Sequence, residues 1–151
     1  MKTLTLTATL LIAAVTAPVA ATHEVPLRGS WDAVETAVVV PPMLFVNSNA
    51  VGHASQLGRY TATFEFQVDL RTSTASGSFT MTAANGDTLF GTFTGHATPA
   101  GSFAAIVETD TILGGTGRFA GATGSFTVER LLDQATGVSS GSFDGAIALD
   151  H

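Results

Sequence analysis

The sequence contains no cysteine, which removes a disulfide framework, a thiolate metal site and a cysteine nucleophile together. Charge is scarce as well: 12% of the residues carry one, against about a quarter in a typical domain. Only six are Lys or Arg against twelve Asp or Glu, for a net charge of −6. So few cations leave no electrostatic footprint for a phosphate backbone, and no nucleic-acid partner is expected. The four histidines, His23, His53, His96 and His151, show no tight zinc-site spacing, and no metal or cofactor is expected. With 45% hydrophobic residues the chain is too apolar for disorder, and 151 residues suit one domain.

What is present begins with an address. Met1-Lys2-Thr3 is a short cationic start, Leu4 to Val19 is apolar apart from small threonines and Pro18, and Val19-Ala20-Ala21 precedes the polar Thr22-His23-Glu24. This is the pattern of a secretory signal peptide over 1–21, cleaved after Ala21. The strongly apolar part is shorter than the roughly 20 residues of a spanning helix. The expectation is a secreted or periplasmic product without a stable membrane anchor, with residues 22–151 forming one domain.

Beyond residue 22 the dominant period is two. In Tyr60-Thr61-Ala62-Thr63-Phe64-Glu65-Phe66-Gln67-Val68-Asp69-Leu70, Phe64, Phe66, Val68 and Leu70 share one face of a strand. Similar runs lie near 26–37, 43–54, 76–84, 87–98, 103–113, 117–130 and 138–149. Trp31 to Val40 could be a helix by spacing, but its valines favour a strand. Asn85-Gly86 is a strong hairpin signal, and Pro41-Pro42 must separate two strands. About eight short antiparallel strands predict an all-β barrel or sandwich.

A repeated Gly-x-Phe unit favours the barrel. It occurs at Gly77/Phe79, Gly91/Phe93, Gly101/Phe103, Gly117/Phe119, Gly124/Phe126 and Gly141/Phe143. Residues i and i+2 share a face, so each glycine is expected beside a ring, where glycine permits the curvature that closure needs. A flatter sandwich is the alternative.

Several motifs lead nowhere chemically. Gly115-Thr116-Gly117-Arg118-Phe119-Ala120 fits a loose dinucleotide fingerprint but lacks a following helix. Gly137-Val138-Ser139-Ser140-Gly141 fits the nucleophile-elbow pattern but is expected as a polar turn between strands. Glu108 and Asp110 share a face with Ile106 and Ile112; buried, they could do acid–base work, but two solvated carboxylates are the expectation. Arg118 and Arg130 are expected in exposed ion pairs, and His53 and His96 at the strand surface or rim.

Two segments resemble known families. Gly58-Arg59-Tyr60-Thr61-Ala62-Thr63-Phe64-Glu65-Phe66 resembles an Arg-Tyr-x-Ala-Thr-aromatic-x-Phe strand of plant allene oxide cyclases. Gly114-Gly115-Thr116-Gly117-Arg118-Phe119-Ala120-Gly121-Ala122-Thr123-Gly124 is similar to their Gly-Gly-x-Gly-x-Phe-x-Gly-x-x-Gly segment and to a dirigent-protein hairpin. The chain is also similar to secreted bacterial proteins with this barrel signature. The resemblance implies a closed eight-stranded antiparallel barrel, commonly trimeric, that holds an apolar molecule and steers cyclisation without a cofactor. The cyclases' glutamate and asparagines near the barrel mouth come partly from the first strand. Here that strand offers Asp32 and Glu35 and no asparagine, so the reaction does not carry over.

The resulting expectation is a cofactor-free barrel binding a hydrophobic small molecule, with cyclase- or isomerase-like activity as an open question. Phe64, Phe66, Phe79, Phe93 and Phe126 are the candidate lumen residues. Glu35, on the first strand, and His53, which can titrate near neutrality, are the candidate catalytic groups. The rival is a non-catalytic extracellular module whose rings fill the interior. A lumen of several hundred cubic ångströms favours the first and a solid one the second.

Overall fold

Alternation of large apolar and polar side chains can satisfy both water and a core only if one face of every strand turns inward, and the barrel does this all round. The computed structural model describes residues 22–150; the expected signal segment and His151 lie outside them. The strands are β1 (His23–Val40), β2 (Met43–Ala54), β3 (Gly58–Asp69), β4 (Thr74–Ala83), β5 (Thr88–Ala100), β6 (Phe103–Gly115), β7 (Thr123–Asp133) and β8 (Val138–Leu149). Each pairs antiparallel with its neighbour in sequence, and β1 pairs with β8 to close the barrel. Closure leaves the barrel wall without an open sheet edge.

The ambiguous stretch from Trp31 to Val40 is strand throughout, half of the long β1. Pro41-Pro42 makes the turn to β2, and Asn85-Gly86 the turn to β5, with Gly86 at φ 91°. The expected strand at 117–130 is shorter than its pattern: Gly117–Phe119 is a single 3-10 turn, and β7 starts at Thr123. A positive φ at Gly117 and Gly121 bends the chain there and drives the Phe119 ring fully into the core.

Four of the six Gly-x-Phe units (77/79, 91/93, 124/126 and 141/143) lie on inward faces; Phe103 is exposed, and Phe119 belongs to the turn. None of these glycines is covered by the ring two positions on: Gly124 meets the β8 backbone, Gly141 meets Arg130, and where a ring does cover a glycine it comes from another strand. Phe79 lies where a side chain on Gly91 would sit, and Phe143 does the same at Gly29. The rings meet one another across the lumen. Trp31 lies 5.2 Å from Phe64, Phe126 lies 5.0 Å from Phe143 and 5.6 Å from Phe79, and Phe93 lies 5.5 Å from Phe66. Such offset and edge contacts add modestly to the large burial of each ring. The middle of the barrel is therefore solid, and so is the end holding Leu27, Leu57, Leu89 and Phe119.

A candidate acid–base chamber in the barrel

Towards the other end, where β1 runs out to Val40 and β8 begins, the inward face changes character. Inward positions on β6 alternate through Ala104, Ile106, Glu108, Asp110 and Ile112, and all are buried. On β7 the inward sequence is Phe126, Val128, Arg130, and on β8 it starts at Ser139. β1 contributes Glu35, whose backbone N–H donates to the Gly137 carbonyl across the closing seam. Its register partner on β2 is Ser48.

Two glycines make the space. A Cβ on Gly95 would stand 2.8 Å from Cγ of Glu108, and one on Gly141 would stand 2.6 Å from Cβ of Arg130. Their bare backbones let these long side chains fold inward over the neighbouring strand.

The result is one guanidinium held by two carboxylates. Arg130 Nε donates to Glu108 Oε1 at 2.9 Å, Nη2 lies 2.8 Å from the same oxygen, and Nη1 donates to Glu35 Oε1 at 2.5 Å. Ser139 Oγ donates to Glu35 Oε1 at 3.3 Å. The three charged side chains are only 5% (Arg130), 9% (Glu35) and 2% (Glu108) exposed. A cavity of about 10 Å³, room for one water, is lined by these residues with Ser48, Trp31, Phe64, Phe66 and Phe93. The larger hollows, such as one of about 570 Å³ beside Asp32, Glu129 and Leu131, are grooves on the outside of the barrel.

Asp110 lies deeper, between its register partners Phe93 and Phe126, fully buried, and neither carboxyl oxygen has a hydrogen-bond partner. Burial, reinforced by the negative charge of Glu108 and relieved only in part by Arg130, pushes its pKa up to about 8. It is therefore a neutral carboxylic acid at physiological pH, able to donate a proton. Burial also pushes Glu108 upward, against the pull of Arg130. Arg130 loses hydration by burial, but Glu108 and Glu35 outweigh that loss and its pKa is raised, so it keeps its charge. Chemically the chamber holds a fixed cation and two carboxyl groups in apolar surroundings, with the Asp110 acid in the layer behind them.

Placement separates the candidate residues. Glu35 is in the chamber. Phe64, Phe66 and Phe93 line its cavity, whereas Phe79 and Phe126 belong to the packed layer beyond. His53 is exposed on the outside of β2 opposite Arg59 and joins nothing in the lumen, because it is one residue out of phase with the inward Ser48, Ala50 and Ala54. His96 is outward too, and Arg118 pairs with Asp87 at the surface. Three expectations fail. Glu108 and Asp110 are buried instead of solvated, Arg130 is buried instead of exposed, and Ser139 is an inward strand residue, only Gly137 belonging to the turn. The signal that could have found them was phase: Arg130 is four residues from Phe126, and Glu108 and Asp110 continue the line of Ile106 and Ile112. Among the described residues no group of three or more His, Asp or Glu is placed to hold a metal ion.

A closed barrel of eight antiparallel strands is a defined class of architecture, and known structures share it. No protein-family model and no curated protein matches the sequence. The solved pterocarpan synthase dirigent protein GePTS1 is similar with a TM-score of 0.65 at 14% identity, over 94% of this chain and 98% of its own. The pterocarpan synthase dirigent protein PsPTS1 gives 0.61 at 13% identity, over 85% and 97%. The fold is thus the dirigent-type barrel of eight antiparallel strands, as the motif resemblance implied.

Proposed function

We propose that the barrel binds a hydrophobic small molecule in this chamber, not throughout its lumen, and that Glu35, Glu108, Asp110 and Arg130 steer proton transfer on it without a cofactor. The observation that carries this reading is the unpartnered Asp110 carboxyl beside a buried Glu–Arg–Glu cluster. Ionic groups in an apolar interior cost more than well-packed hydrophobic residues in their place. Such groups with shifted pKa values concentrate at functional sites. A ligand larger than a water must displace the half-buried Phe66, whose ring lies 5.9 Å from the Arg130 guanidinium.

Export through a signal peptide cleaved after Ala21 belongs to the same proposal, and so does a homo-oligomer, a trimer by resemblance. Assembly would cover Val38, Val39, Val40 and Phe45, which stand exposed at the chamber end. Mass spectrometry of exported protein should find an N-terminus within two residues of Thr22; a released chain starting at Met1 excludes the export reading.

The test is a thermal-shift screen of fatty-acid, terpenoid and polyketide-like compounds. A true ligand at a hundred times its Kd stabilises by about 2.7 kcal/mol, which is several degrees for a domain of this size. For a compound that is also turned over, Glu35→Gln should lower kcat more than it weakens binding, because a charge-stabilising group acts chiefly in the transition state. A second reading has its own support. By the volume criterion, a solid middle and an interior cavity of about 10 Å³ favour a non-catalytic module whose rings only fill the interior, and a screen in which nothing raises Tm selects it.

A further inference from the structure

Formal charges in the chamber do not balance. When both glutamates are ionised, two buried carboxylates face the single positive charge of Arg130. One negative charge is left over in a space walled by Trp31, Phe64, Phe66 and Phe93. The hydrogen bonds are lopsided in the same sense. Every contact from Arg130 and Ser139 goes to Oε1 of Glu35 or Oε1 of Glu108. The hydrogen bonds among the described residues leave Oε2 of each carboxylate without a donor. Spare acceptors outnumber what the protein donates.

A void with excess negative charge, free carboxylate oxygens and aromatic walls has the chemistry of a cation-binding cage. Ring faces attract a cation through their quadrupole, most strongly where water is excluded, and a carboxylate accepts short charge-assisted bonds from an N–H donor. Size narrows the choice. About 10 Å³ accommodates one water-sized group. That fits a primary ammonium head and is too small for a quaternary one. Arg130 does not oppose a second cation strongly, since its own charge is already matched by the carboxylates on either side.

We infer that the chamber selects a primary amine in its ammonium form, with the head between Glu35 and Glu108 and an apolar tail running out past Phe66. This rests on the small-molecule reading above and narrows it: anionic ligands such as fatty-acid carboxylates are rejected, because a further negative charge would meet two carboxylates in a dry site.

The test compares n-hexylamine, n-hexanol and n-hexanoate, three probes with one tail and different heads, by calorimetry and thermal shift at pH 7. Hexylamine should bind at least tenfold more tightly than hexanol, with hexanoate not binding. Glu35→Gln, and separately Glu108→Gln, should weaken hexylamine at least tenfold and change hexanol by less than threefold, in protein whose circular dichroism and Tm show it folded. If either folded variant keeps full amine affinity, the cage assignment is overturned. Hexanol or hexanoate binding as tightly as hexylamine overturns the ammonium inference and leaves the small-molecule site standing. If no probe and no screened compound binds, both fail together.

Discussion

Replacing Asp110 by asparagine should leave stability nearly unchanged in acid and raise it by about 3–5 kcal/mol near neutrality. The argument starts from a carboxyl with no exposure and no hydrogen bond, whose pKa is lifted from 3.8 to about 8. Below about pH 4 it is protonated in both folded and unfolded chains, and asparagine is close to an isostere of the protonated form. Between about pH 4 and pH 8 the unfolded chain releases the proton while the folded chain keeps it. Each pH unit in that window costs the wild type about 1.4 kcal/mol relative to the variant. Above about pH 8 the folded chain ionises as well, and the gap stops growing. Glu108, also raised, is present in both proteins and largely cancels from the comparison. For a domain whose total stability is of order 5–15 kcal/mol this is a large effect. The assay is urea unfolding from pH 4 to pH 9, followed through the fluorescence of Trp31, the sole tryptophan, buried against Phe64 and Phe143. A gap between the two proteins that is the same at pH 4 and pH 8 would refute the reasoning, because it would mean that Asp110 ionises as easily folded as unfolded.

Phe126→Ala removes a ring that is 2% exposed and in contact with Phe79 and Phe143, and should cost about 3–5 kcal/mol in the same unfolding assay; a loss below about 1 kcal/mol would contradict the packed middle layer. At Gly124, φ is 139° and a Cβ would stand 2.3 Å from the Ala146 carbonyl oxygen, so Gly124→Val should destabilise by more than about 3 kcal/mol and reduce the soluble folded yield. Near-wild-type melting of that variant would show that the β7–β8 contact is looser than described. Arg130→Met leaves Glu35 and Glu108 facing each other without a cation and should cost about 3–5 kcal/mol at neutral pH. Adding Glu35→Gln and Glu108→Gln to Arg130→Met should recover much of the loss, and equal stability of the single and triple variants would argue against burial of these charges.

The barrel was legible because alternation is local. Each strand from β2 to β6 carries its inward and outward residues in adjacent positions, so a window of eight residues is enough to see which face is apolar. Turn chemistry is equally local, which is why Asn85-Gly86 and Pro41-Pro42 marked real strand ends. The glycine–phenylalanine repeat signalled closure correctly but not the pairing of ring with glycine. Which ring covers Gly91 depends on the register of β4 against β5, and no spacing within one strand contains that.

The chamber was the opposite case. Glu35 could be singled out only through its place on the first strand, while Glu108 and Asp110 were weighed as solvated because charged residues almost never bury without partners. The partner of Glu108 is Arg130, which also holds Glu35, and Ser139, which bonds Glu35, is 104 residues from it in the chain. Only closure of β1 on β8 and the shared registers of β6, β7 and β8 bring these groups together. His53 failed for a related reason: its chemistry was plausible, but its phase on β2 points it at solvent. The sequence by itself determined an all-β chain of about eight strands, the turns at Pro41-Pro42 and Asn85-Gly86 and an aromatic interior, since each follows from neighbours in the chain. Tertiary structure alone decided which inward charges meet, because burial of a charge depends on partners that arrive from distant strands when the barrel closes.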